Sequence, residues 1–132
     1  MIGAMKRWIL ATVGAMVFSS WVPAARLDVT EEENGKNLLL GRGDLLVVHL
    51  PSNPTTGFGW QPVFSKAGVL TAEGKACYLA NRSHLPGAGG TESWIFLAEK
   101  SGNMTLTLGY ARPWEKGKEP EKTVSWPVTV HP

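Results

Sequence analysis

Residues 102–114, with the sequence GNMTLTLGYARPW, show a strict alternation of apolar and polar side chains that leads into an Arg-Pro-Trp motif. The apolar positions of this alternation are Met104, Leu106, Leu108 and Tyr110. A period of two is typical of a β-strand with one face in a core and the other toward solvent. The segment TVSWPVTV (123–130) has the same period. Both segments are therefore predicted to be strands that contribute one face to a core.

Strand-like segments also fill most of the chain before residue 102. A short strand opens the segment 26–44, and further strands are predicted at 44–50, 58–64, 68–80 and 91–100. Pro62 indicates an edge strand or a bulge, because proline cannot donate a backbone hydrogen bond. No segment after residue 25 has a convincing helical period. About seven to eight short strands in roughly 100 residues predict an all-β fold, a β-sandwich.

The order of these strands predicts where their connections lie, because each strand carries the chain from one end of a sandwich to the other. If 68–80 is one crossing interrupted at Gly74, the irregular connections at 51–57, 81–90 and 111–121 share one end. Antibody-like sandwiches present a binding surface in this way. If Gly74 is instead a hairpin turn, the middle connection lies elsewhere.

Residues 1–24 have the layout of a secretory signal peptide. Two basic residues precede an apolar stretch from Trp8 to about Phe18, and small residues follow it. Cleavage is expected after Ala24, with Ala25 as the next choice. The apolar stretch is short for a membrane span, so an uncleaved anchor is the weaker alternative. We expect an exported protein, periplasmic or secreted, whose mature domain (25–132) does not contact a membrane.

The charge balance and the cysteine content limit the possible functions. The formal charge of +2 falls to zero in the mature domain, because losing Lys6 and Arg7 reduces thirteen basic residues to eleven, equal to the eleven acidic ones. A neutral domain is not expected to bind nucleic acid. Cys77 is the only cysteine, so no internal disulfide is possible. Its apolar context, KACYLA (75–80), predicts a buried thiol.

Residues suited to catalysis or metal binding are scattered along the chain. His49, His84 and His131 lie far apart and without partners at ligand spacing, and His49 is expected to be a packed or edge histidine. No Gly-x-Ser-x-Gly elbow occurs, and the glycines at 87–90 are not followed by a helix that would hold a phosphate. The acidic run 31–33 is predicted to be a solvated turn. The sequence therefore predicts neither an enzyme nor a metal or cofactor site.

Three short motifs remain, and each has a feature that suits contact with a partner. In NPTTGF (53–58), Pro54 fixes φ and Gly57 permits a positive φ. In GAGG (87–90), small side chains let another backbone approach closely. In RPW (112–114), arginine and tryptophan are the residue types enriched in binding hot spots, and the proline limits the freedom lost on binding.

With these motifs in this order, the chain resembles the chagasin-like inhibitors of papain-family cysteine peptidases over about residues 27–130. The residues that carry the resemblance are Asn53, Pro54, Thr55, Thr56, Gly57, Phe58, Gly87, Ala88, Gly89, Gly90, Arg112, Pro113 and Trp114. The resemblance implies an immunoglobulin-like sandwich with the three loops side by side. It also implies reversible, non-covalent inhibition, with Thr55 and Thr56 closest to the catalytic cysteine and the other two motifs gripping the sides of the cleft.

The partners implied by the resemblance are papain-like peptidases, including cathepsin-L-like ones, and the domain is expected to act as a monomer. The alternative is an immunoglobulin-like binding or adhesion module for a carbohydrate or another protein. Strand patterns predict that Trp60, Trp94 and Trp126 point inward. Only Trp114 then remains to stack on a sugar, which makes this alternative weaker.

Overall fold

The computed structural model describes residues 25–81 and 88–132, so the predicted signal peptide (1–24) and Gly87 lie outside the described residues. The described chain forms nine strands and two three-residue 3₁₀ turns. The strands are β1 (Arg26–Thr30), β2 (Leu38–Gly41), β3 (Leu45–Ser52), β4 (Gly59–Phe64), β5 (Leu70–Ala72), β6 (Cys77–Ala80), β7 (Gly90–Ala98), β8 (Gly102–Ala111) and β9 (Lys122–His131).

Two sheets form the sandwich. The first sheet has the order β1-β3-β7-β5, with β6 also paired to β7, and the second has the order β2-β9-β8-β4. The pairs β1–β3 and β2–β9 are parallel, and the remaining pairs are antiparallel. The predicted all-β sandwich is confirmed. The strand count is higher than predicted, because β2 was not anticipated and the segment 68–80 contains two short strands.

The interruption at Gly74 decides where the loops lie. Both β5 and β6 pair antiparallel with β7, so they run in the same direction along one edge of that strand. Gly74, with φ of +68°, lies in the irregular segment between them. The segment 68–80 is therefore one crossing interrupted at Gly74 and not a hairpin. The three irregular connections consequently share one end of the sandwich, as predicted for that case.

The core lies between the sheets and is almost entirely apolar. Its largest fully buried side chains are Trp126, Phe96, Leu46, Leu50, Leu106, Leu108, Val48 and Val128. The alternating apolar residues of β8 and β9 point into it as predicted. Trp60 and Trp126 are buried and Trp94 packs against the core, which confirms their inward orientation. Pro62 lies in β4, which is an edge strand, as the missing amide donor required.

The prediction of a buried thiol at Cys77 is wrong. Cys77 is exposed, as are the other residues of β6. The strand lies at an edge of the first sheet, and among the described strands it pairs only with β7. Apolar composition indicates burial only where a second layer covers the strand, and all four residues of β6 are exposed.

Candidate functional site

The described residues of the three motifs lie on neighbouring loops at one end of the sandwich. We define the first loop as 53–58, the second as 81–89 and the third as 112–121. Ser52, before the first loop, pairs with Gly90, which follows the second. Gly59, after the first loop, pairs with Ala111, which precedes the third. The sheet ladders therefore place the first loop between the other two.

The first loop is built around a 3₁₀ turn at Pro54–Thr56. Asn53 caps the turn, because its side-chain Oδ1 accepts hydrogen bonds from the backbone N of Thr55 at 3.3 Å and from the Thr55 hydroxyl at 2.6 Å. The Thr56 hydroxyl donates to the carbonyl oxygen of Asn53 at 2.7 Å. Gly57 ends the turn in the left-handed region with φ of +83°. The loop is thus held in shape by its own polar groups, while Thr55 and Thr56 remain exposed.

The third loop packs directly on the first. Arg112 donates from Nε to the carbonyl oxygen of Thr56 at 2.9 Å, and its guanidinium carbon lies 4.4 Å from the centre of the Phe58 ring. Trp114 lies over Gly57, and 66% of its surface is exposed. A Cβ atom at Gly57 would overlap the Trp114 ring. Gly57 is therefore required twice, once for its positive φ and once for the contact with Trp114.

The second loop approaches its neighbours through glycine. A Cβ atom at Gly89, which has φ of +77°, would lie 3.0 Å from the carbonyl oxygen of Ser52, and one at Gly90 would overlap the backbone of Leu79. Asn81 donates from its backbone N to the carbonyl oxygen of Gly89 at 2.9 Å. Ala88 is exposed. These two glycines therefore allow the close packing of β6, β7 and the first loop.

The base of the first loop contains a buried polar cluster that sequence reasoning missed. Glu92 accepts hydrogen bonds from the Ser52 hydroxyl at 3.0 Å, the Trp60 backbone N at 3.2 Å and the Trp94 indole at 2.8 Å. The Tyr110 hydroxyl accepts a hydrogen bond from the backbone N of Asn53 at 3.0 Å. The sequence signal that could have revealed Glu92 is the alternation along β7, which places Glu92 on the same face as the buried Phe96 and Ala98.

A second polar cluster lies on the first sheet, and it resembles a Ser-His-Asp arrangement. His49 Nδ1 lies 2.8 Å from Ser93 Oγ, and its Nε2 lies 3.0 Å from Asp28 Oδ2. Hydrogen bonds from Arg26 and His49 lower the pKa of Asp28 to about 2. At Ser93, however, β7 is flanked by both β3 and β6, so its backbone amides belong to the sheet and do not form an oxyanion hole. Both ring nitrogens of His49 have hydrogen-bond partners on the first sheet, as expected for a packed histidine.

Within residues 25–81 and 88–132, no group of three or more His, Cys, Asp or Glu side chains is arranged to hold a metal ion. In the same part of the chain, no helix has the length and apolar character needed to cross a membrane.

Comparison with known families identifies the chain. Residues 40–128 match the family described as "Chagasin family peptidase inhibitor I42". The chain belongs to this family. Its members include relatives such as chagasin from Trypanosoma cruzi, which is 34% identical over 92 residues, spanning 65% of this chain and 81% of chagasin. Amoebiasin-2 from Entamoeba histolytica is 29% identical over 102 residues, spanning 77% of this chain and 83% of amoebiasin-2.

Solved structures agree with the assignment to the chagasin family. The cysteine protease inhibitor EhICP2 from Entamoeba histolytica has a TM-score of 0.70 and 28% identity, over 82% of this chain and 97% of EhICP2. PbICP-C, solved in complex with falcipain-2, has a TM-score of 0.51 at 17% identity, over 83% of this chain and 92% of PbICP-C, and supports the fold alone. The immunoglobulin-like sandwich is confirmed, and the chain is a member of a family of cysteine peptidase inhibitors rather than enzymes.

Proposed function

We propose that the mature domain (25–132) is an exported, monomeric inhibitor of papain-family cysteine peptidases, including cathepsin-L-like ones. The first loop enters the active-site cleft of the peptidase, and the second and third loops grip its two sides. The observation that carries this proposal is the capped first loop, which exposes Thr55 and Thr56 and has the exposed Trp114 beside it.

The chemistry of the first loop favours reversible, non-covalent inhibition. Its side chains offer hydroxyl, amide and aromatic groups, and none is an electrophile that the thiolate of a cysteine peptidase would capture. The loop is also held before binding by the Asn53 cap and by the bond from Arg112 to Thr56. A loop fixed in its bound shape loses little entropy on association, which favours tight binding.

The third loop supplies the anchor of the interface. Protein inhibitors and their peptidases bury about 1,600 Å² in total, and a few aromatic or arginine side chains dominate the binding energy. Trp114 belongs to a residue type that is enriched in binding hot spots, and it is largely exposed. Pro113 restricts the backbone beside it. We place the exposed Ala88 of the second loop on the opposite side of the cleft.

A carbohydrate-binding module has less support. Sugars stack on exposed aromatic rings, and of the four tryptophans in the described ranges only Trp114 is largely exposed. A single ring beside a rigid polar loop offers little surface for a saccharide. Assays with the mature domain separate the two functions, because sugar binding leaves the activity of a peptidase unchanged.

The test is a titration of the purified mature domain against papain and a cathepsin-L-like peptidase, followed by mass analysis of the recovered inhibitor. We expect stoichiometric inhibition with an intact inhibitor mass. Thr56→Ala should weaken inhibition less than Thr56→Trp, because a bulky side chain does not fit a narrow cleft. No inhibition at micromolar concentrations would refute the function, and equal effects of the two substitutions would refute insertion of the first loop.

A further inference from the structure

Glu92 is buried where no functional motif predicted a charged group. It is 9% exposed, and Ser52 and Glu92 are the two buried polar residues of the described chain. No salt bridge involves Glu92 within the described ranges. Burying a carboxylate without a counter-ion is costly unless several donors compensate for the lost water. The position of those donors therefore indicates what the carboxylate does.

The donors come from both ends of the first loop. Oε1 accepts from the hydroxyl of Ser52, which immediately precedes the loop. Oε2 accepts from the backbone N of Trp60, which follows the loop after one intervening residue, and also from the Trp94 indole on β7 itself. One carboxylate thus joins the strand that enters the first loop to the strand that leaves it.

Three further contacts depend on the same arrangement. The Trp60 indole donates to the carbonyl oxygen of Pro51 at 2.9 Å, and the Tyr110 ring lies 4.9 Å from the Trp60 ring and 5.1 Å from the Phe58 ring. Moving the backbone of Trp60 would therefore displace its indole and the rings stacked beside it. Hydrogen bonds to a charged group are stronger than neutral ones, so Glu92 is the firmest link in this set.

We propose that Glu92 is a positioning residue for inhibition, which fixes the first loop in its binding shape by joining both of its ends. This inference rests on the proposed function. Glu92 does not contact the peptidase, because it is buried beneath the loop. It acts by reducing the number of loop conformations in the free inhibitor, so that less order has to be gained on binding.

The test compares Glu92→Gln with Glu73→Gln, the same change at an exposed residue of the segment between β5 and β6. Glutamine replaces one acceptor oxygen by an NH₂ donor, so either the N–H groups of Trp60 and Trp94 lose their acceptor or the Ser52 hydroxyl has to accept a hydrogen bond instead of donating one. Amide hydrogen exchange is measured in the free domain at Thr56 and Gly57, whose N–H groups bond to Asn53 and Pro54 within the turn. We expect Glu92→Gln to accelerate exchange at these amides and to weaken inhibition, each by about tenfold, and Glu73→Gln to change neither.

A destabilised control separates positioning from general stability. Val130 is buried near the opposite end of the sandwich, and Val130→Ala should lower the free energy of unfolding without changing exchange in the first loop or inhibition. If Glu92→Gln does not fold, Ser52→Ala removes one of the same hydrogen bonds and should change both measurements in the same direction by a smaller factor. Unchanged exchange, or equal loss of inhibition in Val130→Ala, would overturn the positioning role. Absence of inhibition by the unsubstituted domain would instead refute the proposed function, and exchange in the free domain would still report on the loop.

Discussion

The interior of the sandwich has two layers that differ in chemistry. The central layer, defined by Leu46, Phe96, Leu106, Leu108 and Trp126, consists of fully buried side chains in van der Waals contact. The upper layer, beneath the first loop, consists of Ser52, Trp60, Glu92 and Tyr110, which are joined by hydrogen bonds and ring contacts, and Phe58 of the loop stacks on Tyr110.

This difference separates the residues that stabilise the fold from the residues that fix the position of the first loop. Apolar burial is non-directional, so the central layer stabilises the sandwich without setting the position of any one loop. Hydrogen bonds depend on angle and distance, and those of the upper layer connect to the ends of the first loop. We therefore expect substitutions in the central layer to change the free energy of unfolding, and substitutions in the loops above the upper layer to change inhibition.

The largest effect is expected in the central layer. Leu106 is 0% exposed, and Leu106→Ala should lower the free energy of unfolding by about 2–5 kcal/mol. Leu39→Ala is the matched control, because Leu39 is 64% exposed in the same sheet and its loss should cost about 0.5 kcal/mol or less. Denaturant unfolding measures both. Similar losses at the two positions would contradict the assignment of the core, while inhibition by folded Leu106→Ala should remain close to that of the unsubstituted domain.

The next effect is expected in the third loop. Trp114→Ala should weaken inhibition by about 2 kcal/mol, roughly 30-fold, because it removes the exposed aromatic anchor. Its free energy of unfolding should change by about 0.5 kcal/mol or less, since the ring is largely exposed. Inhibition constants and unfolding curves are measured on the same samples. Native folding with unchanged inhibition would remove Trp114 from the interface.

Part of the central layer was predictable from the sequence, because the alternation in 102–110 and 123–130 indicates that Leu106, Leu108 and Trp126 point inward. The common end of the three loops also followed, once 68–80 was treated as one crossing. The exposure of Cys77 was not predictable, because it depends on whether a second layer covers the edge strand that contains it. The role of Glu92 was equally hidden, since its donors Ser52, Trp60 and Trp94 come from three strands and sequence order does not show that they meet.

A smaller effect is expected from the cap of the first loop. Asn53→Ala removes the oxygen that accepts from Thr55 and should weaken inhibition by about 1 kcal/mol, roughly fivefold. Asn53→Asp is the matched control, because it keeps an acceptor oxygen at the same position and should retain most of the inhibition. If alanine and aspartate weaken inhibition equally, the acceptor oxygen is not what orders the loop.

The smallest effect is expected at Asp28, which belongs to neither layer and pairs with Arg26 and His49 on the first sheet. Its folded-state pKa of about 2 lies below its ordinary value of 3.8, so the charged carboxylate stabilises the folded protein above about pH 4. That contribution declines as the pH falls from about 4 and is lost as the pH falls through 2, because the carboxylate is then protonated in the folded state as well. The difference in unfolding free energy between the unsubstituted domain and Asp28→Asn should therefore be small and should shrink between pH 5 and pH 2. A constant difference across this range, measured by denaturant unfolding, would show that the ion pair does not contribute. Inhibition at neutral pH should be unchanged, because Asp28 contacts none of the described residues of the three loops.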